Sequence, residues 1–241
     1  IADLRGRNKQ LPHDYVCPQA VRTAVPEEYY STNYIARKTC DWLKAREGNK
    51  KPFFLMVSWP DPHHPFNPPG KYWDMYQPKD MQVPAAFTVQ DWEPPRHVVL
   101  AEQARKEDRE VGKKGGKTIA VTKQEALEAR ALTCGMISMI DDAIGQVRKS
   151  VEETGAFQST VQIFTTDHGD HLGDHRLLFK GAEQYDTLTR VPFIWADPVG
   201  VSGERSDELA QPIDIGATIM EHARVEGPEG MQGQPMSIVG G

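Results

Sequence analysis

Apolar residues recur every three or four positions in one long stretch of the chain, which predicts an amphipathic helix packed by one face. The helix is expected to start behind Thr122, because Thr122 and Glu125 have the spacing of a capping box. Gly155 is expected to end it. The residues of its apolar face are Leu132, Met136, Met139, Ile140, Ala143, Ile144 and Val147.

Two shorter helices are predicted from the same kind of pattern. One is expected over 31–46, with Ser31 as its capping residue and Gly48 just behind its end. Its core-facing side is predicted to consist of Ile35, Thr39, Trp42 and Leu43. The other helix is expected over 213–223, introduced by Pro212.

Short apolar runs at 53–57, 161–164 and 191–195 predict strands, the first two of them buried. Strands that alternate with helices are typical of the α/β class and favour a mostly parallel central sheet. Residues 77–121 show little periodicity and are expected to form a long irregular insertion, which makes them the first candidate for substrate specificity.

The composition of the 241 residues excludes several classes of protein. Lys and Arg number 28 against 34 Asp and Glu, a net charge of −6, which argues against a duplex nucleic-acid binder. No apolar run approaches the roughly 20 residues of a membrane-spanning helix, so a membrane-embedded protein is not expected. Three cysteines are too few for a disulfide framework. Compartment and oligomeric state carry no signal in the sequence.

The densest group of polar residues directly follows the predicted strand at 161–164. In open α/β sheets ligands bind beyond the carboxyl ends of strands, so this position favours a site. Asp167 and His168 come first, and Gly169 lets the backbone turn away. A carboxylate beside an imidazole suits a divalent cation, with oxygen ligands favouring calcium, magnesium or manganese and the imidazole leaving zinc open.

A single Asp-His-Gly turn is more often a hydrogen-bonded loop than a metal site. Six acidic or imidazole side chains within nine residues shift the balance towards a site: Asp167, His168, Asp170, His171, Asp174 and His175. Of these, His171 and His175 fit structural or solvent-facing roles better than metal ligation. Lys180 follows five residues later, either as a surface side chain or as a fixed cation for an anionic group.

A second group of polar residues lies in the proline-rich stretch 59–66, behind the predicted strand at 53–57. Its prolines restrict the backbone and hold His63 and His64 in defined directions. A fixed histidine beside a metal site is a candidate general acid or oxyanion donor. The alternative is a proline-rich turn whose histidines are incidental.

Together these segments resemble the sulfatase family of the alkaline phosphatase superfamily, in particular its arylsulfatase-like and choline-sulfatase-like enzymes. Residues 62–66, Pro-His-His-Pro-Phe, are similar to the family's Pro-His-x-Pro segment. Residues 135–142 resemble its helical signature, and 167–181 with 189–194 resemble its segment of metal ligands and substrate lysine. The resemblance runs from about residue 30 to 240.

The resemblance implies a role for each matching residue. Asp167 and His168 would be ligands of a divalent metal, most often Ca²⁺, with Mn²⁺ or Zn²⁺ in relatives. Lys180 would contact the sulfate, and His63 would bind or protonate the departing alcohol oxygen. His64 is a weaker candidate for substrate binding, because the family places its histidine two residues before the second proline. The implied substrate is a small-molecule sulfate ester.

The same resemblance shows what the chain does not contain. No cysteine lies in the Cys-x-Pro-Ser-Arg pattern that the family converts to its formylglycine nucleophile, and the paired N-terminal aspartates are absent. Residues 1–241 are therefore expected to be the central and C-terminal part of one sulfatase-type α/β/α catalytic domain, without its N-terminal third and inactive alone. The alternatives are a phosphonate or phosphodiester hydrolase of the superfamily, or an inactive oxyanion-binding homologue.

Overall fold

The computed structural model describes residues 10–88, 93–107, 118–200 and 203–237. Within them the chain divides into two compact units. Unit 1 comprises Ile1–Gly155 and His168–Arg190, and unit 2 comprises Ala156–Asp167 and Val191–Gly241. In chain order the helices and strands are α1 (Ser31–Lys44), α2 (Lys71–Asp74), α3 (Ala85–Thr88), α4 (Arg96–Glu107), β1 (Ile119–Ala120), α5 (Lys123–Glu153), β2 (Gln162–Thr165), β3 (Leu177–Leu178), α6 (Asp186–Thr189), β4 (Phe193–Ala196) and α7 (Pro212–Ala223).

Unit 1 is built around α5, and the predicted long helix is confirmed. The capping box is present: the Glu125 amide donates to the Thr122 hydroxyl at 3.3 Å, and the Thr122 amide donates to the Glu125 carboxylate at 2.8 Å. Apolar side chains of α5 such as Leu132, Met136 and Met139 are fully buried. Leu132 and Met136 belong to a core cluster that also contains Phe66, Trp73 and Phe179.

Helix α1 packs against α5, as its amphipathic pattern predicts. The buried side is formed by Thr32, Ala36, Thr39 and Leu43. The predicted face is partly wrong, because Trp42 is exposed and packs on Phe53 instead. Tyr30 occupies the N-cap, so Ser31 is the first helical residue rather than the cap.

Residues 77–121, expected to be irregular, contain α3, α4 and β1 within the part that the structure describes. Strand β1 pairs with β3 in an antiparallel two-stranded sheet, with Ile119 opposite Leu178 and Ala120 opposite Leu177. All four of these side chains are buried. The small sheet therefore fixes residues 177–178 to the core of unit 1.

Unit 2 contains β2, β4 and α7, so the predicted strands and the C-terminal helix are confirmed. Strands β2 and β4 pair antiparallel, with Phe164 opposite Ile194. Strand β2 is less buried than predicted, since Phe164 is 39% exposed, and Ile194 of β4 is 56% exposed. In this unit the described core is confined largely to Ala217 and Thr218 of α7.

Two expectations about strands are not met. The run at 53–57 is not a strand, and Phe54 and Met56 are 72% and 77% exposed, because no described segment pairs with it. The mostly parallel central sheet is not confirmed either, since both sheets formed by the described residues are antiparallel. A strand needs a hydrogen-bonded neighbour and a covered face, and an apolar run supplies neither by itself.

Over the residues with described structure, no helix combines the length and the apolar character needed to cross a bilayer.

Candidate active site

Lys180 lies at the end of a segment of unit 1, residues 168–181, which we call the lysine loop. Strand β3 attaches this loop to the core through its pairing with β1. Phe179, next to Lys180, is also buried. Phe179 has a φ of 70°, a left-handed conformation that is unfavourable for a residue with a Cβ. Leu172, His175 and Arg176 of the same loop also have positive φ. Such backbone conformations cluster at functional sites, where the surrounding structure enforces them.

The carboxylate of Asp170 links the two ends of the lysine loop by hydrogen bonds. One oxygen of its carboxylate accepts hydrogen bonds from the amides of Leu172 at 3.0 Å and Phe179 at 3.1 Å. Burial raises the pKa of this carboxyl, an effect that outweighs the two amide donors and the nearby charges of Lys180 and His168. Asp170 thus fixes the start of the loop to its end, one residue before Lys180.

The backbone packing at the start of the lysine loop requires a glycine at position 169, directly behind the Asp-His pair. The Gly169 amide donates to the carbonyl of Leu188 in α6 at 2.9 Å, which draws the two backbones together. A Cβ at position 169 would lie 1.8 Å from the carbonyl oxygen of Thr187, so only glycine fits.

His168 is partly buried, and its Nδ1 lies 2.7 Å from the carbonyl oxygen of Gly169. A carbonyl only accepts hydrogen bonds, so Nδ1 carries the proton and the neutral ring has its lone pair on Nε2. This is the arrangement of a histidine that ligates a metal through Nε2, with the other ring nitrogen held by a carbonyl.

Asp167 belongs to unit 2 and follows the end of β2 by two residues, as the sequence predicts. Its carboxylate is exposed and accepts a hydrogen bond from the Thr166 hydroxyl at 3.3 Å. Asp167 and His168 are consecutive, and the division between the units falls at the peptide bond that joins them.

Residues 59–66 of unit 1, which we call the histidine loop, are held by side chains at the start of α1. Asp61 accepts hydrogen bonds from the hydroxyls of Tyr30, at 3.1 Å, and Thr32. The indole of Trp59 donates to the carbonyl of Thr32 at 3.2 Å. Because Tyr30 and Thr32 are buried, this network gives the loop a firm attachment.

The histidine loop and the lysine loop meet where the rings of His64 and Phe179 contact each other. His63 and His64 stack with centroids 4.1 Å apart, and His64 lies 4.2 Å from the ring of Phe179. The structure therefore brings His63, His64 and Lys180 into one region of unit 1, although the two loops are far apart in sequence.

The electrostatics of this region follow from its burial and from its cations. Burial, with His63 and Lys180 nearby, lowers the pKa of His64 from 6.5 to about 4. His64 is consequently neutral at pH 7. His63 is exposed, and its Nδ1 faces the carbonyl oxygen of His64, which places the proton of the neutral ring on Nδ1 and leaves Nε2 as an acceptor.

The predicted metal ligands, Asp167 and His168, fit a cation only in part. The tautomer of His168 and the exposed carboxylate of Asp167 suit a divalent ion. Within the described ranges, however, no three His, Cys, Asp or Glu side chains are grouped so that they could hold one. A hard cation such as Ca²⁺ takes six or more oxygen ligands, so any further ligands would have to come from outside this group.

The roles of three side chains here were not predicted from the sequence, although Asp170 was named there as one of six grouped polar residues. Asp61 anchors the histidine loop, Asp170 closes the lysine loop, and Phe179 receives the ring of His64. Asp61 and Asp170 lie in segments already marked as candidates, and that position was the available signal. His171, expected to be structural, is buried within the lysine loop, where its Nε2 lies 3.9 Å from a carboxylate oxygen of Glu183.

The comparisons with known proteins identify the family of the chain. The model of the family described as Sulfatase matches residues 5–225, so the chain belongs to the sulfatase family. An arylsulfatase of Clostridium perfringens (strain 13 / Type A) is 34% identical over 216 residues, which are 86% of this chain and 41% of that protein. The multifunctional alkaline phosphatase superfamily protein PehA of Trinickia caryophylli is 32% identical over a match that covers 88% of this chain and 41% of that protein.

A solved structure supports the fold. The phosphonate monoester hydrolase of Agrobacterium radiobacter matches with a TM-score of 0.76 and 25% identity over 98% of this chain and 47% of that one. This likeness supports an alkaline phosphatase-like α/β fold. The chain spans about two fifths of the length of the curated relatives described above.

Proposed function

We propose that this chain supplies part of the catalytic site of a sulfatase, a hydrolase that cleaves small-molecule sulfate esters. The observation that carries the proposal is the convergence of His63 and Lys180, through the contact between the rings of His64 and Phe179, in a chain of the sulfatase family. The family match and the arylsulfatase relative support it further.

Lys180 binds the anionic oxygens of the ester in this proposal. It is partly buried beside Phe179, and Asp170 and β3 determine the course of the backbone that carries it. A fixed ammonium group stabilises charge on these oxygens in the transition state without having to reorganise. His64, neutral at pH 7, adds no second positive charge next to it.

His63 acts on the bridging oxygen as the alcohol leaves. Since Nδ1 faces a backbone carbonyl, the proton given to the leaving oxygen must come from Nε2. His63 is therefore a general acid only in its cationic form, and in its neutral form it is an acceptor. No residue of this chain is assigned as the nucleophile.

Asp167 and His168 are proposed as ligands of a divalent metal, with Ca²⁺ the first candidate and Mn²⁺ and Zn²⁺ the alternatives. When bound, such an ion neutralises charge on the oxygens of the reacting group. The protein's own contribution is the tautomer of His168, set by its hydrogen bond to the Gly169 carbonyl.

A phosphonate or phosphodiester hydrolase is the second candidate, and the structural likeness to the phosphonate monoester hydrolase favours it. A sulfate monoester carries one negative charge and a phosphate monoester nearly two, so dianionic phosphate would need more cations. Lys180 is the one lysine assigned to this site, which favours a singly charged group: a sulfate ester or a phosphonate monoester.

The test uses the longest natural protein that contains this chain, with 4-nitrophenyl sulfate and a 4-nitrophenyl phosphonate ester as substrates. We expect hydrolysis of the sulfate ester, with Lys180→Ala lowering kcat/KM by about 10²- to 10³-fold while the melting temperature stays unchanged. As a control, Lys79→Ala removes a lysine outside both loops and should leave turnover unchanged.

Three results would contradict the sulfatase proposal. Preference for the phosphonate ester would move the function to the second candidate. A protein that binds sulfate but turns over neither substrate would indicate an inactive oxyanion-binding homologue. If Lys180→Ala and Lys79→Ala behaved alike, Lys180 would have no role in the reaction.

A further inference from the structure

The hydrogen bonds that attach the histidine loop to the start of α1 meet at Asp61, a residue with no role of its own in the proposed reaction. The carboxylate of Asp61 accepts from Thr32 through one oxygen and from Tyr30 through the other. Thr32 is completely buried and Tyr30 is 7% exposed, so both donors are fixed by the packing of unit 1. A buried hydroxyl that loses its acceptor is destabilised, which ties the two elements together.

Asp61 lies inside the turn that directs His63. The amide of His63 donates to the carbonyl of Pro60 at 3.1 Å, so residues 60–63 form a closed turn with His63 as its last residue. The ring of His63 is exposed and contacts His64, which belongs to the same loop. The direction of the His63 side chain is therefore set mainly by where this turn is held.

A second contact of Tyr30 lies at the other end of the loop. The Tyr30 hydroxyl also lies 2.8 Å from the side-chain oxygen of Asn67, just behind the histidine loop. Tyr30 thus lies beside both ends of the loop, and Asp61 is its partner on the side of His63.

We propose that Asp61 is a positioning residue: through Thr32 and Tyr30 it fixes the turn that aims His63 at the leaving oxygen. The catalytic consequence rests on the proposed function, whereas the positioning itself does not. A displacement of a catalytic group by about 1 Å costs up to about 10²-fold in rate, so loosening this turn should affect turnover without removing any group that touches the substrate.

The positioning is tested on the 241-residue chain by NMR of its histidine rings, with the His63 signals assigned from His63→Gln. Asp61→Ala should shift and broaden the ring signals of His63, and Asp61→Asn, which retains one acceptor oxygen, should do so less. Asp142→Ala is the matched control, because Asp142 also accepts a tyrosine hydroxyl, from Tyr72 at 2.6 Å, but lies on α5. It should leave His63 unchanged.

The catalytic consequence is tested in the longest natural protein with two leaving groups. Phenolate is a more basic leaving group than 4-nitrophenolate, so its departure depends more on protonation. Asp61→Ala should therefore lower kcat about 10- to 100-fold with phenyl sulfate and less with 4-nitrophenyl sulfate. A general loss of structure would lower both rates equally.

If Asp61→Ala does not fold, the double variant Tyr30→Phe with Thr32→Val removes the two donors and keeps the buried volume. Unchanged His63 signals in either folded variant would overturn the proposal, as would equal loss with both leaving groups. If the wild-type protein cleaves no sulfate ester, the proposed function fails, and the NMR comparison alone still decides whether Asp61 positions His63.

Discussion

The lysine loop is held through hydrogen bonds of its backbone amides and carbonyls, whereas the histidine loop is held by side-chain hydroxyls at the start of a neighbouring helix. In the first, Asp170 accepts two amides of the same loop and β3 pairs with β1. In the second, Asp61 accepts two hydroxyls from the start of α1. Changes to the residues that hold the backbone of the lysine loop should therefore act on stability, and changes around the histidine loop should act on the direction of His63.

The largest expected effect is that of Gly169→Ala. The added methyl group would overlap the carbonyl of Thr187, so the loop and α6 must separate, and we expect a loss of about 3 kcal/mol in the free energy of unfolding. Urea denaturation of the chain measures it. The control is Gly145→Ala on the exposed side of α5, where nothing lies within 4 Å, and a gain of about 0.5–1 kcal/mol is expected there. Equal effects at the two positions would show that residue 169 has room.

Asp170→Ala should have the next largest effect. It leaves the amides of Leu172 and Phe179 without their acceptor in a buried loop, which costs about 2 kcal/mol. Asp170→Asn keeps an oxygen in place and, because burial disfavours the charge on Asp170, should cost less than about 1 kcal/mol. The same denaturation experiment compares them. If the two variants lost the same stability, the amide contacts would not be what closes the loop.

The smallest expected effect is on the pH dependence of the unfolding free energy, and it comes from His64, through which the two loops are in contact. In the unfolded chain His64 takes up a proton near pH 6.5, but in the folded protein only near pH 4. Its contribution to stability is therefore complete above pH 6.5 and is lost as the pH falls towards 4, by about 1 kcal/mol for this partly buried group.

His64→Phe keeps a ring between His63 and Phe179 and removes the titration. The difference in unfolding free energy between wild type and variant should therefore change between pH 7 and pH 4.5, with the wild type losing more. Curves that stay parallel over this range would mean that His64 titrates normally in the folded protein.

The sequence predicted the helices better than the sheet. Local signals are strong for α5, where the capping box and the apolar repeat coincide, and for α7 behind Pro212. The run at 53–57 carries an equally clear apolar signal, yet it is not a strand, because strand formation depends on a partner distant in sequence. The same reason explains why the parallel sheet is not confirmed.

The candidate residues were found from the sequence, but their arrangement was not. The sequence alone identified the candidates Asp167, His168, Lys180 and His63, since short motifs of polar residues behind apolar runs can be recognised without knowledge of the fold. Only the tertiary structure decided that the ring of His64 contacts that of Phe179 and that Asp61 is held by the start of α1. The chemistry of a motif depends on adjacent residues, whereas ring contacts and hydrogen bonds between distant segments depend on how the described parts of unit 1 pack around α5.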